Sequence, residues 1–319
     1  MGKLKEKIKK IGFSLFGEKR WNKMIEKRER KRNPDKFEHY ESFGDLNPNK
    51  TIYVIRKPYS YGEGLLSIFV YVMARIDYAD RNNLLPFVDL DKEGFPSRFD
   101  RYFKQKTDLT KEEVYKSKKV LLSGEGEKPV YPGWCNWINM EFNEQKYALF
   151  EKYVDFSDEV KAKIKDFRDR IEPKKCLGLY MRGTDYIALK PGGHPIQPTL
   201  DELVEKIDCF MNEEKLEKIF MVTEDAALYN QAKARYGDKI LILNEEEFLS
   251  DYKPGEMVLQ TVERKGNVDD VNMTYLMKIM LLSECAAFVG GRTNGSSVAN
   301  ALNGGKYKKR FVYDVGYYQ

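Results

Sequence analysis

The chain has 319 residues, 42% of them hydrophobic and 13% aromatic, with a formal net charge of +5. This composition excludes a disordered chain, and the length exceeds the usual single core, so two domains of ordinary size are expected. Two histidines (His39, His194) and four scattered cysteines (Cys135, Cys176, Cys209, Cys285) without a CxxC pair leave no basis for a histidine-rich metal site, a zinc framework or a disulfide scaffold.

Most of the positive excess lies in residues 3–32, where Leu4, Ile8, Ile11 and Leu15 recur at helical spacing and Phe13, Phe16 and Trp21 add bulk. The spacing predicts one or two basic amphipathic helices, broken near Gly17, forming an arm over residues 1–49. The apolar runs are too short for a secretory signal. Such an arm suits an anionic membrane surface; a solvated helix packed on its own protein is the plain alternative. Nucleic acid is not expected, because no aromatic residues interleave with a sheet-wide basic stripe.

Residues 50–168 read as a first Rossmann-like domain. Thr51 to Ile55 is a strand, and Pro58 to Gly64 is a glycine-containing turn. An apolar helix from Leu65 to Ala79 follows, then the run Leu84 to Val88, ending in Asp89-Leu90-Asp91. The turn matches neither GxGxxG nor GxxxxGK(S/T), and the Leu65–Ala74 run is too short to span a membrane. Asp89 and Asp91 have the spacing of a metal-binding pair, but a solvated acidic loop accounts for them, and no metal is expected. The aromatic residues of Trp134-Cys135-Asn136-Trp137 suit a core better than a sugar platform.

A charged helix, Ser157 to Ile171, leads into residues 169–319, a second Rossmann-like domain. Its first strand is Cys176 to Tyr180, followed by the turn Met181-Arg182-Gly183-Thr184-Asp185-Tyr186. A Gly/Pro-rich loop (Lys190 to Pro195) precedes a helix from Thr199 to Glu213, with Thr199 and Glu202 spaced as a capping box. The strand Lys218–Val222 ends in Thr223-Glu224-Asp225. Then come a helix (Ala226–Tyr236), a strand (Lys239–Leu243), an acidic insertion, a helix (Asn272–Ser283) and a strand (Ala286–Val289). That strand runs into Gly290-Gly291-Arg292-Thr293-Asn294-Gly295-Ser296-Ser297, a short helix, and a last strand at Phe311–Tyr313. The alternation predicts a doubly wound α/β fold, whose strand-end loops line one crevice. Arg182 offers a permanently charged fork of donors there, and the serine-flanked helix start offers backbone N–H groups; together they suit a diphosphate. Glu224-Asp225 suits a ribose hydroxyl or a base N–H. A helix cap and a solvated acidic turn are the plain alternatives.

Tyr180 to Tyr186 resembles the H-x-R-(R/G)-(T/G)-D motif of the superfamily holding the core α-1,6-, α-1,2- and protein-O-fucosyltransferases. Thr223-Glu224-Asp225 resembles its T-(D/E)-D strand end. Leu281-Leu282-Ser283, Phe288-Val289 and Ser296-Ser297 resemble its third motif, and Tyr61-Gly62-Glu63-Gly64 its N-terminal opening. The resemblance runs from about residue 51 to 314, apart from residues 91–155. It implies two facing Rossmann-like domains in the GT-B arrangement, residues 50–168 on the acceptor side and 169–319 binding the nucleotide sugar, and inverting, metal-independent transfer of fucose from GDP-fucose, without a cofactor, to a glycan or lipid-linked glycan. Arg182 then neutralises the donor β-phosphate, and Asp185 is the nearest candidate base, with His194 behind it. Tyr180, Gly183, His194, Thr223, Asp225, Arg292, Ser296 and Ser297 surround the donor. Tyr180 stands where the family usually has histidine, and Gly183 where it often has a second arginine. With the basic arm, the expectation is a cytoplasmic enzyme on the inner face of a membrane, in bacterial-type surface polysaccharide assembly. A non-catalytic sugar-nucleotide or glycan-binding protein is the alternative.

Overall fold

A computed structural model describes residues 2–56, 64–91, 99–125, 139–243 and 268–319. The chain opens with two helices, α1 (Gly2–Phe16) and α2 (Glu18–Arg32), then β1 (His39–Glu41), β2 (Ile52–Arg56), α3 (Leu65–Arg81) and β3 (Leu85–Asp89). Short elements follow: α4 (Phe99–Tyr102), β4 (Phe103–Gln105), α5 (Lys111–Val114), β5 (Val120–Leu122), α6 (Asn143–Tyr153) and β6 (Val154–Phe156). After α7 (Asp158–Ile171) come β7 (Cys176–Tyr180), α8 (Thr184–Leu189), α9 (Leu200–Glu213), β8 (Lys218–Val222), α10 (Ala226–Tyr236) and β9 (Ile240–Leu241). The chain closes with α11 (Val268–Glu284), β10 (Ala287–Gly291), α12 (Asn294–Asn303) and β11 (Lys309–Tyr313). The glycine turn at 58–63, Trp134 to Trp137 and most of the acidic insertion lie outside the described residues.

The arm is helical, as its periodicity implies, and it breaks at Gly17, whose φ of 74° lies in the region where glycine costs least. Gly12 lets α1 and α2 close together: a Cβ there would sit 2.2 Å from the Trp21 ring.

Two compact units form, and neither is continuous. One comprises Met1–Tyr61, Ala79–Pro96 and Thr107–Val130; the other comprises Gly62–Tyr78, Ser97–Lys106 and Tyr131–Gln319. This differs from a sequential boundary at 168/169, and aromatic packing is the physical reason. Phe69 of α3 lies 4.8 Å from Phe103 and 5.9 Å from Phe150, and Phe156 lies 5.1 Å from Phe150. That cluster draws α3, β4, α6 and β6 into the unit holding the C-terminal half.

In the first unit the sheet order is β1-β5-β2-β3, with β2 parallel to β3 and β5, and β1 antiparallel at the edge. The second unit carries an all-parallel sheet of order β11-β10-β7-β8-β9. Every residue of β7 is buried, as expected of a central strand covered on both faces. The chain starts at β7, steps to β8 and β9, then crosses back to β10 and β11. The winding therefore reverses between β7 and β10, and the carboxyl ends of those two strands flank the crevice where doubly wound sheets take ligands. The capping box of Thr199 and Glu202 is present at the start of α9. The strand expected at Lys239–Leu243 shortens to Ile240–Leu241, at the sheet edge.

Candidate active site

Arg182 stands just past the end of β7, beside the switch point. Its Nη2 donates to both oxygens of Asp185 (2.9 and 3.1 Å), and its Nε lies 3.4 Å from Glu224 Oε1. The guanidinium also lies over the Tyr186 ring, 5.1 Å from its centre. Burial works against the charge, but Glu224 and Asp185 outweigh it, and the guanidinium is held above its ordinary pKa. Nη1 has no hydrogen-bond partner among the described residues.

The turn carrying Arg182 is laced to the turn after β8. Glu224 Oε1 accepts from Gly183 N and from Thr184 Oγ1, both at 3.1 Å. Asp225 Oδ2 accepts from Thr184 N (3.0 Å), while Oδ1 caps α10 through Ala227 N and Leu228 N. Thr223 is buried behind them, its hydroxyl accepting from Asp225 N at 3.1 Å. These bonds hold Thr184 at a φ of 47°, an uncommon left-handed setting for a β-branched residue. They also account for Gly183, where a Cβ would fall 2.3 Å from Asp225 Oδ2 and 2.5 Å from its Cβ.

The α12 start is filled from within. Thr293 Oγ1 accepts from Ser296 N, and Ser296 Oγ accepts from Thr293 N at 2.8 Å, a capping box with serine in the place usual for glutamate. Ser296 and Ser297 are 0% and 2% exposed, so the two hydroxyls expected on donor phosphates are internal. The phenols of Tyr180 and Tyr275, 3.1 Å apart, close over the same helix start. A Cβ at Gly295 would fall 2.6 and 2.5 Å from these two oxygens. Arg292 does not join Arg182. Its Nη1 pairs with Asp314 at 2.7 Å, and its guanidinium lies 5.4 Å from the Tyr317 ring centre.

Asp185 is 1% exposed, and its oxygens take hydrogen bonds from Arg182 and from Tyr186 N. That arrangement fits a residue positioning the guanidinium better than a base open to an acceptor. His194, by contrast, is only half-buried, with Nδ1 2.9 Å from the Tyr186 hydroxyl. Burial pushes the Tyr186 phenol up to about 12, so it stays protonated at neutral pH. The ring's Nε2 has no partner among the described residues. The loop carrying His194 is pinned by the C-terminal segment: Gly193 N donates to Tyr318 O at 2.8 Å, and Tyr318 N to His194 O at 2.9 Å. Nearby, Gln197 Nε2 donates to the carbonyls of Pro195 and Arg292, fixing the amide, while its buried Oε1 faces Gly291 without a hydrogen-bond partner among the described residues.

Tyr275 and Gln197 are thus site residues that the sequence reading did not single out, and Glu224 and Tyr186, read there as a ribose or base partner and as the end of the motif, face Arg182 instead. Tyr275 and Gln197 lie in stretches that carry no motif. Asp89 and Asp91 are bridged by Lys111 Nζ, at 2.9 and 3.3 Å, and Asp89 also accepts from the Tyr115 hydroxyl at 2.8 Å.

No protein-family model and no curated protein matches the chain. Among solved structures it is similar to NodZ alpha-1,6-fucosyltransferase soaked with GDP-fucose, at 13% identity and a TM-score of 0.45, covering 80% of this chain and 93% of that one. It is similar to an Arabidopsis thaliana FUT1 mutant in complex with GDP at 13% identity and 0.46, covering 84% and 72%. It is also similar to POFUT1 in complex with GDP at 12% identity and 0.38, covering 84% and 75%.

Proposed function

We propose that the chain is a glycosyltransferase that moves fucose from GDP-fucose to a glycan acceptor, by an inverting reaction that needs no metal. The observation that carries this reading is Arg182: a guanidinium at the carboxyl end of β7, beside the switch point, braced by two carboxylates and a ring, with Nη1 uncommitted. Transfer from a nucleotide diphosphate builds negative charge on the leaving phosphate, and a fixed guanidinium aimed there favours the transition state over the ground state. Asp185, Glu224 and Tyr186 set its direction. His194 Nε2 takes the acceptor proton, with the Tyr186 hydroxyl holding the other ring nitrogen. The choice of fucose and guanosine rests on the motif at 180–186. The buried state of Asp185 and the full pairing of Arg182 Nη2 favour a second reading, a non-catalytic sugar-nucleotide binder, which would bind GDP-fucose without releasing GDP to any acceptor.

Arg182 with Asp185 and Glu224 is a trio of net charge −1, so an incoming diphosphate competes with Glu224 for the guanidinium. Glu224→Gln keeps an acceptor for Gly183 N and removes that competition. Calorimetric titration with GDP is expected to show tighter binding by about threefold to tenfold, of the order of 1 kcal/mol. Unchanged or weaker GDP binding in this variant would place the diphosphate elsewhere.

The arm is proposed to hold the enzyme on the cytoplasmic face of an anionic membrane, in bacterial-type surface polysaccharide assembly with a lipid-linked acceptor. Residues 3–32 hold 13 basic and 4 acidic residues, so the rest of this +5 chain is net negative. Six of the large hydrophobic side chains exposed to solvent lie there (Ile8, Ile11, Leu15, Phe16, Met24, Ile25), with Leu15 69% exposed. No helix among the described residues is long and apolar enough to cross a membrane. Flotation with phosphatidylglycerol vesicles is expected to carry the protein at low salt and to release much of it at about 0.5 M salt, where screening shortens the reach of charge. Ile11→Glu with Leu15→Glu should abolish flotation; retained flotation would remove the arm from this role.

A further inference from the structure

The carboxyl edge of the parallel sheet in the second unit carries the site above, and its amino edge carries a cavity of about 840 Å³. Five residues of β7 separate the two edges, about 16 Å of strand. Phe150, Val154, Ile164 and Met280 form an apolar floor; all four are buried. Six cations stand around it (Lys106, Lys161, Arg168, Lys174, Lys306 and Lys308) against three carboxylates, Glu151, Asp155 and Glu284.

Their pairing is uneven. Lys161 binds Asp155 at 2.6 Å, Arg168 holds Glu284 through two bonds at 2.6 and 2.7 Å, and Lys308 lies 3.5 Å from Glu214. Lys106, Lys174 and Lys306 have no carboxylate within 4.0 Å among the described residues. Lys106 Nζ donates to the Glu151 carbonyl at 2.6 Å, and Lys306 Nζ lies 4.3 Å from the Tyr147 ring centre. Lys106 still feels Asp155, and Glu151 lines the same hollow, but six cations against three carboxylates leave a positive excess that raises the local concentration of anions. An inorganic anion would satisfy them and leave the apolar floor wet. A neutral hydrocarbon would cover the floor and leave the charges unmet. The volume lies in the range of small-molecule sites.

We propose that this cavity binds an amphipathic anion, with its alkyl or acyl limb on the floor and a phosphate or carboxylate head at Lys174 and Lys306. The site is separate from Arg182 and does not depend on the transferase reading. The test uses the full chain and single-chain probes below their micelle concentrations: dodecyl phosphate, dodecanoate, dodecanol and inorganic phosphate, each followed by calorimetry. One variant reverses charge at two exposed positions (Lys174→Glu with Lys306→Glu), and a second fills the hollow (Ala286→Phe).

Dodecyl phosphate or dodecanoate is expected to bind saturably at one site, and the tighter of the two names the head group. The double charge reversal should weaken that binding about tenfold or more, equal to about 1.4 kcal/mol, and Ala286→Phe should abolish it. Dodecanol and inorganic phosphate should each bind far more weakly, and GDP affinity should not change. Three results would overturn the proposal: no saturable binding, equal affinity in both variants (which would put the probe on the apolar face of the arm), or inorganic phosphate binding as well as its dodecyl ester.

Discussion

Arg182→Lys is expected to lower transfer from GDP-fucose by about a hundredfold to a thousandfold, the usual effect of removing one donor aimed at transition-state charge. Lysine keeps the positive charge and can still meet Asp185. It lacks the fork that lets one side chain hold Asp185 through Nη2, face Glu224 through Nε and leave Nη1 for a phosphate. The melting temperature of this variant should therefore move little while turnover collapses. Arg182→Ala should lose activity to the same degree, and stability as well. It strands Asp185, which is almost fully buried, beside Glu224, a change that costs about 3 kcal/mol when buried pairs are broken and less here because Glu224 is partly solvated. GDP release and thermal melts on the two variants separate the roles. Near-normal turnover by the lysine variant would show that no phosphate depends on the fork.

Gly183→Ala should be nearly as damaging, although it adds one methyl group. The new Cβ falls 2.3 Å from Asp225 Oδ2 and 2.5 Å from Asp225 Cβ, and that neighbour is not a free side-chain end. Both of its oxygens are engaged, one with Thr184 N and the other with the first turn of α10. If the carboxylate yields, α10 loses its cap, about 1 kcal/mol. If the backbone yields, Arg182 moves with it. The expected cost is about 1–3 kcal/mol of stability. The expected loss of turnover is about a hundredfold, the scale of a 1 Å misplacement near reacting groups. A Gly183→Ala protein with unaltered melting and turnover would mean that the two turns are not locked together.

The parallel sheet around this site is legible in the sequence because its strands are covered on both faces, and 176–180, 218–222 and 286–289 read as nearly unbroken apolar runs. Arg182 is legible for the same reason: a charge directly after such a run sits at a strand end. The α12 start is not. A glycine-serine loop before a helix looks identical whether a phosphate or a capping box fills it. What decides here is a pair of phenols, Tyr180 and Tyr275, that are 95 residues apart in the chain. Glu224 and Asp225 are adjacent carboxylates, and only the course of the turn makes the first face Arg182 and the second cap a helix. The apolar length of α3 announces burial but not its partner, which is why the chain divides differently from a cut at 168/169.

The early entry of α3 into the later unit has a consequence during synthesis. Phe69 meets Phe103 and Phe150 early, whereas the contact of Ser67 with Asn294, 2.7 Å in the finished molecule, spans 227 residues. At about 5–20 residues per second, roughly ten to forty seconds separate the synthesis of Ser67 from that of Asn294. The packing of α3 is therefore completed only once the C-terminal half has been made, and each half of the chain expressed apart would lack part of that core.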